Sequence, residues 1–482
     1  MNYKLVLRVI GMLLLCEAVL MIPSLGVAMI YRDGDTMAFV ISMLVTAGCG
    51  LLPTLLARPK KNDMNAKDGM AVAGLSWILL SAFGSLPFIL SGAIPHVADA
   101  FFETVSGFTT TGATILTQIE GLPRGVLFWR SFTHWIGGMG ILIFTLAVLP
   151  RLTGRTTYMA RAESPGPTFS KLLPRMGDTA KVLYGIYMAL TVLLLLCLLL
   201  AGMSPYDALI HAFSTAGTGG FSNYNASVAS FGSPAIEWII AVFMMLFGVN
   251  FALYFHLLRR EFGQALRNEE LWVYGGLVVL STAGITAAIL PQVEGGFMTA
   301  LRQAFFQTTA IVSTTGFVTA DFDVWPGIAQ AILLLLMCFG ACAGSTAGGF
   351  KLSRVLLLAK STYREMRHTL QPRKVSVVRV DGKVASEETL SQLGVYLFLY
   401  IIVLFVCTLL LAMQNIDILS ALTAALTCIS NVGPGLRAVG PTQNFAFMTV
   451  PAKYLCSFLM LAGRLEIYPI LLLFSANLWR KN

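Results

Sequence analysis

The sequence predicts an all-α, polytopic membrane protein in which four pseudo-fourfold repeats of span, re-entrant loop and span surround one pore, after two extra N-terminal spans. Three observations support this class: the composition, the placement of positive charge and a polar motif that recurs. Of 482 residues, 56% are hydrophobic and 12% are charged, which is too apolar for a water-soluble surface. The net charge of +9 falls in loops between apolar runs, whereas nucleic-acid binding requires an exposed basic face.

Ten apolar runs have roughly the 20-residue length of a membrane-spanning helix. They lie near 5–31, 37–56, 70–90, 126–149, 182–201, 235–258, 271–290, 328–358, 393–413 and 445–479. Lys and Arg number four in 58–68, six in 151–181, three in 259–270 and nine in 351–388. The alternate loops 92–125, 203–234, 291–327 and 414–444 hold at most one each. By the positive-inside rule, the basic loops and both termini are expected in the cytoplasm and the alternate loops outside.

The recurring motif consists of four polar stretches, FTTTGA, AGTGGF, STTGFV and SNVGPG, each of which follows an apolar run and lies between two spans. When Gly112, Gly219, Gly316 and Gly433 are aligned, Ala100, Phe101, Phe102 and Thr104 fall opposite Ala304, Phe305, Phe306 and Thr308. A segment such as 99–109 forms about three helical turns, which is too short to cross a bilayer. It must enter the membrane and return, and the extended residues after it must line an aqueous path.

These extended residues are candidate ion ligands, because backbone carbonyl oxygens can replace the hydration shell of a cation. No carboxylate occupies their positions, which favours a monovalent over a divalent cation. For one loop alone, an ordinary polar turn at a helix end is the alternative, but four loops in register favour an ion path. The predicted ligands are Thr110, Thr111 and Gly112; Gly217, Thr218 and Gly219; Thr314, Thr315 and Gly316; and Asn431, Val432 and Gly433.

The eighth apolar run, 328–358, is longer than one span requires. Its 31 residues would extend about 46 Å as a helix, against a hydrocarbon core of about 30 Å. Glycines in its centre predict that the helix gives way there to an intramembrane loop. A small-residue packing face is the alternative. The candidate gate residues are Gly344, Ser345, Thr346, Ala347, Gly348 and Gly349.

Charged residues inside predicted spans need partners at membrane depth. Arg464 lies in the tenth span, and carbonyls of the glycine-rich loop are better partners for it than Glu466, which lies on another helix face. Arg464 is therefore added to the candidate gate. Lys453 is interpreted either as tuning cation occupancy or as an interfacial anchor. Arg130 and His134 share one helix face and are interpreted as interfacial hydrogen-bonding residues.

These stretches, with FWRSFTHWIGGMGI at 128–141, GACAGSTAGGFK at 340–351 and AGRLEIYP at 462–469, resemble the TrkH family. This family comprises the membrane subunits of bacterial Trk potassium uptake systems, within the Trk/Ktr/HKT superfamily. The resemblance covers essentially the whole chain. It implies four joined pore repeats descended from a two-span potassium channel subunit, and a loop that obstructs the cytosolic side of the pore. It also implies a homodimer with one pore per protomer, controlled by a TrkA-like cytosolic ring of nucleotide-binding RCK domains.

The chain departs from other potassium channels in that none of its loops contains the full TVGYG signature. Looser discrimination against sodium is therefore expected. In plant relatives a serine at the first filter glycine accompanies sodium transport, and this chain has Gly112 there, which favours potassium.

On this interpretation the chain divides into two additional N-terminal spans (1–68) and four pore repeats. The repeats are 69–180, 181–268, 269–389, which includes the gating loop, and 390–482. The expected function is channel-like potassium uptake in the bacterial cytoplasmic membrane, with potassium as the transported ion. No cofactor is expected in this chain, so nucleotide control would reside on the partner subunit. The expected surroundings are the lipid bilayer and no nucleic acid.

Two other functional classes remain for comparison. A secondary transporter that couples potassium to sodium or protons is the main alternative, although such carriers more often have inverted repeats and a midplane carboxylate. A membrane enzyme is weakly supported, because the sequence contains no HExxH motif and no cytosolic phosphate-binding glycine loop.

Overall fold

The computed structural model describes residues 1–57, 64–140, 176–374 and 376–480, and it is mostly helical. In this part of the chain the helices are α1 (Tyr3–Leu20), α2 (Ile22–Tyr31), α3 (Thr36–Leu56), α4 (Ala66–Gly84), α5 (Leu86–Leu90), α6 (Val97–Phe108), α7 (Arg124–Gly138), α8 (Met176–Leu200), α9 (Pro205–Gly217), α10 (Pro234–Phe247), α11 (Phe251–Leu258), α12 (Phe262–Leu266), α13 (Glu269–Ile289), α14 (Gly296–Val312), α15 (Gly327–Cys338), α16 (Leu352–Leu370), α17 (Glu387–Ala412), α18 (Ile418–Ser430), α19 (Val450–Arg464), α20 (Tyr468–Leu473) and α21 (Ala476–Trp479). Short 3₁₀ helices cover Ser227–Phe231, Phe322–Val324 and Arg437–Val439. The strands β1 (Arg379–Val380) and β2 (Lys383–Val384) form an antiparallel hairpin.

Six predicted spans correspond to segments that are long and apolar enough to cross a membrane. They are Tyr3–Tyr31, Thr36–Leu56, Ala66–Leu90, Asp178–Leu200, Glu269–Ile289 and Glu387–Ala412. A seventh candidate is the bent pair α10 and α11. The predicted fourth span begins as α7, and its continuation from 141 lies outside the described residues. The predicted multi-pass helical class is thereby confirmed.

Two spans that the sequence analysis treated as single runs are divided in the structure. The run 235–258 bends by 91° between α10 and α11, where the side chain of Asn250 accepts the N–H of Ala252 and starts a new helix. The run 445–479 is broken after Arg464, because Glu466 and Ile467 have φ of 54° and 67°. The predicted break in 328–358 lies between α15 and α16. Hydropathy alone does not register a break at which the chain stays apolar.

The four short helices α6, α9, α14 and α18 belong to four repeats that follow one another around a ring. Hydrogen bonds between the segments that leave these helices link each repeat to the next. These bonds join Ile119 N to Asn225 Oδ1 (3.1 Å), Ala229 N to Val318 O (3.3 Å), Arg437 N to Asp323 Oδ1 (3.1 Å) and Phe445 N to Thr114 O (2.8 Å). The fourth repeat thus returns to the first, so the ring is closed by a single chain.

The N-terminal helices pack at the periphery of this ring. A Cβ atom added to Gly11 of α1 would lie 2.6 Å from the carbonyl oxygen of Gly50, and one added to Gly50 of α3 would lie 2.7 Å from that of Gly11. The two backbones are therefore in contact, as is usual where small residues meet between membrane helices. The N-terminal helices also pack against α4, since α1 is in contact with α4.

This contact predicts that Gly50→Val destabilises the protein whereas Gly48→Val does not. Both substitutions introduce the same side chain on α3, but a Cβ atom added to Gly48 would meet no atom within 4 Å. Overpacking at Gly50 should cost about 1–3 kcal/mol in the free energy of unfolding. Thermal unfolding of the purified variants measures the difference. Equal transition midpoints would mean that α1 and α3 are not held by this close approach.

Candidate ion pathway

Each of the four short helices ends in the same strained turn. The residue after the helix, or one residue later, has a left-handed backbone although it is not glycine: Thr110, Thr218, Thr314 and Asn431 have φ of 55–57°. The N–H of the following residue then bonds to the carbonyl five positions back, over 2.8–3.0 Å. This is the Schellman ending of a helix. A threonine in this conformation is a true outlier that costs about 1–3 kcal/mol, and such strain marks functional sites.

A glycine follows two positions after each strained residue. These are Gly112, Gly220, Gly316 and Gly433, whose φ values are 79°, 76°, 75° and 102°. The second loop therefore aligns as Thr218, Gly219 and Gly220, one residue later than the predicted Gly217, Thr218 and Gly219. Gly217 ends α9 and packs against the backbone of His134. Because this loop has glycine at 217, 219 and 220, the amino-acid sequence alone does not decide which of them is equivalent to Gly112. The backbone angles do.

The four glycines form a closed ring of backbone contacts. A Cβ atom added to Gly112 would collide with the carbonyl oxygen of Gly219, and one added to Gly433 would lie 2.6 Å from that of Thr111. The same arrangement places Gly220 against Thr315 and Gly316 against Val432. Each glycine thus contacts the carbonyl of the residue that precedes the corresponding glycine in the next repeat. We call Thr111, Gly219, Thr315 and Val432, with the glycines after them, the carbonyl ring.

Side chains around the carbonyl ring form hydrogen bonds with one another. The hydroxyls of Thr111 and Thr109 are 2.8 Å apart, and those of Thr315 and Ser313 are 2.7 Å apart. Asn431 donates its amide to Thr111 Oγ1 at 2.9 Å. These bonds fix the side chains behind the backbone. In the part of the chain that the structure describes, Thr110 Oγ1 and Asn431 Oδ1 are buried without a partner, so two oxygen acceptors remain beside the ring.

The second repeat lacks a side chain at Gly219 because an imidazole occupies the space. A Cβ on Gly219 would collide with the ring of His134. His134 in turn contacts the carbonyl oxygen of Gly107 through Nδ1 at 2.7 Å. The histidine therefore joins α7 to the first and second loops.

A buried ion pair holds the segments that leave the carbonyl ring. Glu103 accepts hydrogen bonds from Arg130 Nε (2.7 Å), Thr114 Oγ1 (2.8 Å) and the N–H of Ile115 (3.0 Å). Arg130 also donates to the carbonyl of Ser222 at 2.9 Å. The pair thus ties the first loop to the second. The sequence analysis identified Arg130 but missed Glu103. A glutamate in a short amphipathic helix is ordinarily expected on the face that contacts water, so its position gave no reason to expect a buried ion pair.

The glycine-rich loop between α15 and α16 lies against Thr314, which directly precedes Thr315 of the carbonyl ring. The N–H of Gly348 donates to Thr314 Oγ1 at 2.8 Å. Arg464 donates to the carbonyl of Thr346 at 2.9 Å, which is the predicted type of partner. It also donates to Gly138 at 2.6 Å and to Gly137. Arg464 therefore connects the loop to the end of α7.

Other residues that the sequence analysis missed anchor the same loop. Glu270 accepts the N–H groups of Ala343 and Ser353 at 2.7 and 2.8 Å, so one carboxylate holds both ends of the loop. The N–H of Phe251 donates to Gly344 at 3.0 Å, across the break between α10 and α11. Glu270 follows a glutamate at a helix start, where acidic residues are ordinary, and its sequence position therefore gave no signal.

Two further charges are paired near the pathway. Glu466 forms an ion pair with Arg354 of α16, in agreement with its exclusion as the partner of Arg464. Lys453 of α19 pairs with Asp99 of α6 at 2.6 Å and so joins these two helices, while the two roles suggested for it stay predictions. A cavity of about 80 Å³ lies beside the loop, and its lining includes Gly140, Ser345, Lys351, Arg464 and Glu466.

Comparison with known proteins places this geometry in a family. The TrkH family model, described as a cation transport protein, matches residues 35–271 and 294–481. The chain is 38% identical over 488 residues to the Trk system potassium uptake protein TrkH of Salmonella typhimurium, and 31% identical over 486 residues to TrkG of Escherichia coli. The first match covers 100% of both chains and the second covers 99% of both.

A solved structure has the same fold. The crystal structure of the potassium transporter TrkH from Vibrio parahaemolyticus matches with a TM-score of 0.89 and 35% sequence identity, and the match covers 100% of both chains. The chain therefore belongs to the TrkH family of cation transport proteins.

Proposed function

We propose that this protein is the ion-conducting, channel-like subunit of a Trk system and takes up potassium across the bacterial cytoplasmic membrane. The closed carbonyl ring supports this most strongly, because four backbone carbonyls from four repeats can together replace the water shell of one ion. The relatives named above, two potassium uptake proteins and a potassium transporter, favour transport over an enzymatic activity.

The proposed ligands are those of the sequence analysis, with the second loop shifted by one residue. They are Thr110, Thr111 and Gly112; Thr218, Gly219 and Gly220; Thr314, Thr315 and Gly316; and Asn431, Val432 and Gly433. Their contributing atoms are backbone carbonyls and the unpartnered oxygens of Thr110 and Asn431. Neutral oxygens without carboxylates suit a monovalent cation, since divalent sites in channels use rings of Asp or Glu.

We also propose that the loop 344–349 is a gate that Arg464 latches and that a cytosolic partner moves. The hydrogen bond that Gly348 N–H donates to Thr314 and the one that Arg464 donates to the carbonyl of Thr346 support a closed position directly below the ring. Helix α16 starts immediately after the loop and runs 19 residues to Leu370. A subunit bound to its far end could therefore pull the loop. A nucleotide-binding, TrkA-like subunit fits this role, because the resemblance to the TrkH family implies such a partner.

The proposed assembly is a homodimer in the bacterial inner membrane, with both termini in the cytoplasm. The proposed repeats 69–180, 181–268, 269–389 and 390–482 each contain one of the helices α6, α9, α14 and α18. Residues 1–68 contain the peripheral helices α1 to α3. The cytosolic loop 151–181 lies mostly outside the described residues.

Single-channel recording from liposomes with purified protein tests the function. A channel gives unitary potassium currents that follow the potassium gradient alone. The alternative, a carrier coupled to sodium or protons, turns over too slowly for resolvable unitary steps and responds to the coupling gradient. Absence of unitary currents together with sodium- or proton-dependent uptake would favour the carrier.

The carbonyl ring predicts that Gly112→Ser or Gly316→Ser weakens discrimination of potassium from sodium. Each new side chain would collide with the carbonyl of Gly219 or Val432 and widen or tilt the ring. Reversal potentials of the purified variants measure the effect. Gly92→Ser is a matched control, since Gly92 has a similar φ of 75° but meets no atom within 4 Å. Unchanged selectivity in both ring variants would remove these residues from the pore.

The gate predicts that deletion of 344–348 raises conductance and makes it less dependent on a cytosolic partner. The deletion removes the segment that bonds to Thr314 and Arg464. Currents from the purified variant, with and without the partner, measure this. A variant that folds and conducts less than the parent would show that the loop packs the pore and does not obstruct it.

The latch predicts that Arg464→Gln increases the open probability, because loss of a charge-assisted hydrogen bond destabilises the closed state by about 1–3 kcal/mol. If Arg464 is instead a positive barrier in the ion path, the variant raises the unitary current at constant open probability. Arg464→Lys separates the two, since it keeps the charge but loses the planar fork that reaches Thr346 and Gly138 together. Normal gating and normal unitary current in both variants would assign Arg464 a structural role.

A further inference from the structure

The connection between the second and third repeats carries a cluster of exposed apolar side chains. Phe262 and Leu266 lie one turn apart on α12 and are 55% and 59% exposed, and Trp272 near the start of α13 is 66% exposed. The indole N–H of Trp272 donates to the carbonyl of Leu266 at 2.7 Å, so α12 and the start of α13 adjoin. The apolar cluster is therefore contiguous.

Three arginines border these side chains. Arg259 and Arg260 follow α11, Arg267 follows α12, and all three are exposed. Arg259 lies over the ring of Phe255, with 4.7 Å between its guanidinium carbon and the ring centroid. In the described part of the chain no ion pair joins any of the three to a carboxylate. We call these arginines, together with Phe262, Leu266 and Trp272, the interfacial patch.

The carboxylates near the interfacial patch have other partners. Glu261 pairs with His256 at 2.7 Å, and Glu269 pairs with Lys360. Glu270 is buried and accepts two backbone N–H groups. The positive charge of the arginines is thus not neutralised by their sequence neighbours. A negatively charged group from outside the chain complements it.

The position of Trp272 places the interfacial patch at the edge of the membrane. The span α13 begins at Glu269, so Trp272 lies only about 5 Å along the helix from its start. Val279 and Leu280 follow seven and eight positions later on the same helix face and are 66% and 74% exposed. This stripe faces the acyl chains and leads directly to Trp272. Tryptophan is enriched where a span meets the headgroups.

The segments that carry the interfacial patch also hold the gate loop. Helix α11 ends just before Arg259, and the N–H of its first residue, Phe251, donates to the carbonyl of Gly344 at 3.0 Å. The helix has eight residues and is therefore about 12 Å long. On the other side, Glu270 lies two positions before Trp272 and accepts N–H groups from both ends of the loop. Movement of the patch would therefore reach the loop from two directions.

We propose that the interfacial patch binds an anionic phospholipid of the cytosolic leaflet and that this lipid stabilises the closed gate. The phosphate contacts the arginines, and the acyl chains lie beside Phe262, Leu266 and Trp272. The loop 259–270 is one of the basic loops expected in the cytoplasm, where the leaflet carries anionic lipid. Continuity with the lipid-facing stripe of α13 favours a lipid over a soluble acidic partner. The effect on the gate rests on the function proposed above, whereas the binding does not.

Native mass spectrometry of the purified full-length protein, titrated in detergent with phosphatidylglycerol or phosphatidylcholine, tests the binding. We expect saturable binding of phosphatidylglycerol that weakens about fivefold in Arg260→Gln and in Arg267→Gln, the contribution of one basic residue at an anionic lipid surface. Arg267→Lys keeps the charge and should retain most of the affinity. Arg373→Gln is the matched control, because Arg373 is an exposed arginine outside the patch, and it should leave the affinity unchanged.

Two results of this titration would overturn the proposal. One is equally tight binding of phosphatidylcholine, since recognition would then not depend on the charge of the lipid. The other is the same weakening in Arg373→Gln as in Arg267→Gln, since binding would then follow the general positive charge. The substituted arginines are exposed, so the variants are expected to retain the fold.

Recordings from vesicles of phosphatidylcholine with and without phosphatidylglycerol test the effect on the gate. Phosphatidylglycerol should lower the open probability several-fold in the parent and less in Arg267→Gln. Equal open probability in both lipids, from a protein that binds phosphatidylglycerol, would overturn the effect on the gate. Absence of unitary currents would count against the proposed channel, while the titration still decides the lipid site. If the arginine variants bind lipid normally but lose their response to a cytosolic partner, the patch belongs to that partner and the proposal is wrong.

Discussion

The contact of the four backbone segments that form the carbonyl ring is the constraint on which the rest of this structure depends. Inside a membrane protein every backbone group needs a protein or water partner. The segments approach so closely that only glycine fits at Gly112, Gly220, Gly316 and Gly433. The approach also requires a sharp helix ending before each glycine, which explains why three threonines and one asparagine are kept in a left-handed conformation. Backbone strain at these four equivalent residues therefore accompanies the close approach of the carbonyl groups in the ring.

The surrounding charges can be understood as supports for this centre. Glu103 and Arg130 hold the exits of the first and second loops, and Lys453 with Asp99 fixes α6 to α19. Glu270 and Arg464 satisfy backbone groups that the break between α15 and α16 releases. Each of these charges is paired or bonded to backbone, as the low dielectric of a membrane interior demands. The loop is therefore held by bonds to several helices, which makes its position sensitive to movement of any one of them.

The sequence was sufficient for the fold class because hydropathy and the distribution of Lys and Arg are properties of whole segments. It also located the break in the eighth span, where length and glycine content both departed from a simple helix. It was insufficient for the register of the second loop, in which three glycines are interchangeable as letters and only the φ of Thr218 and Gly220 distinguishes them. It also missed Glu103 and Glu270, whose importance comes from partners more than ten residues away in the chain.

The bend between α10 and α11 is a further feature that the sequence analysis did not predict. The glycine-rich loop supplies partners at this bend, because the N–H of Cys342 donates to the carbonyl of Gly248 at 3.1 Å and the N–H of Phe251 donates to that of Gly344 at 3.0 Å. These tertiary bonds add to the local helix cap of Asn250, and the sequence without its fold gives no indication of them.

The most direct test of the carbonyl ring as an ion site is anomalous diffraction from crystals grown with rubidium in place of potassium. The account predicts an anomalous peak on the ring axis, surrounded by the carbonyl oxygens of Thr111, Gly219, Thr315 and Val432. A well-ordered ring without a peak, in crystals that bind rubidium elsewhere along the pore, would contradict it.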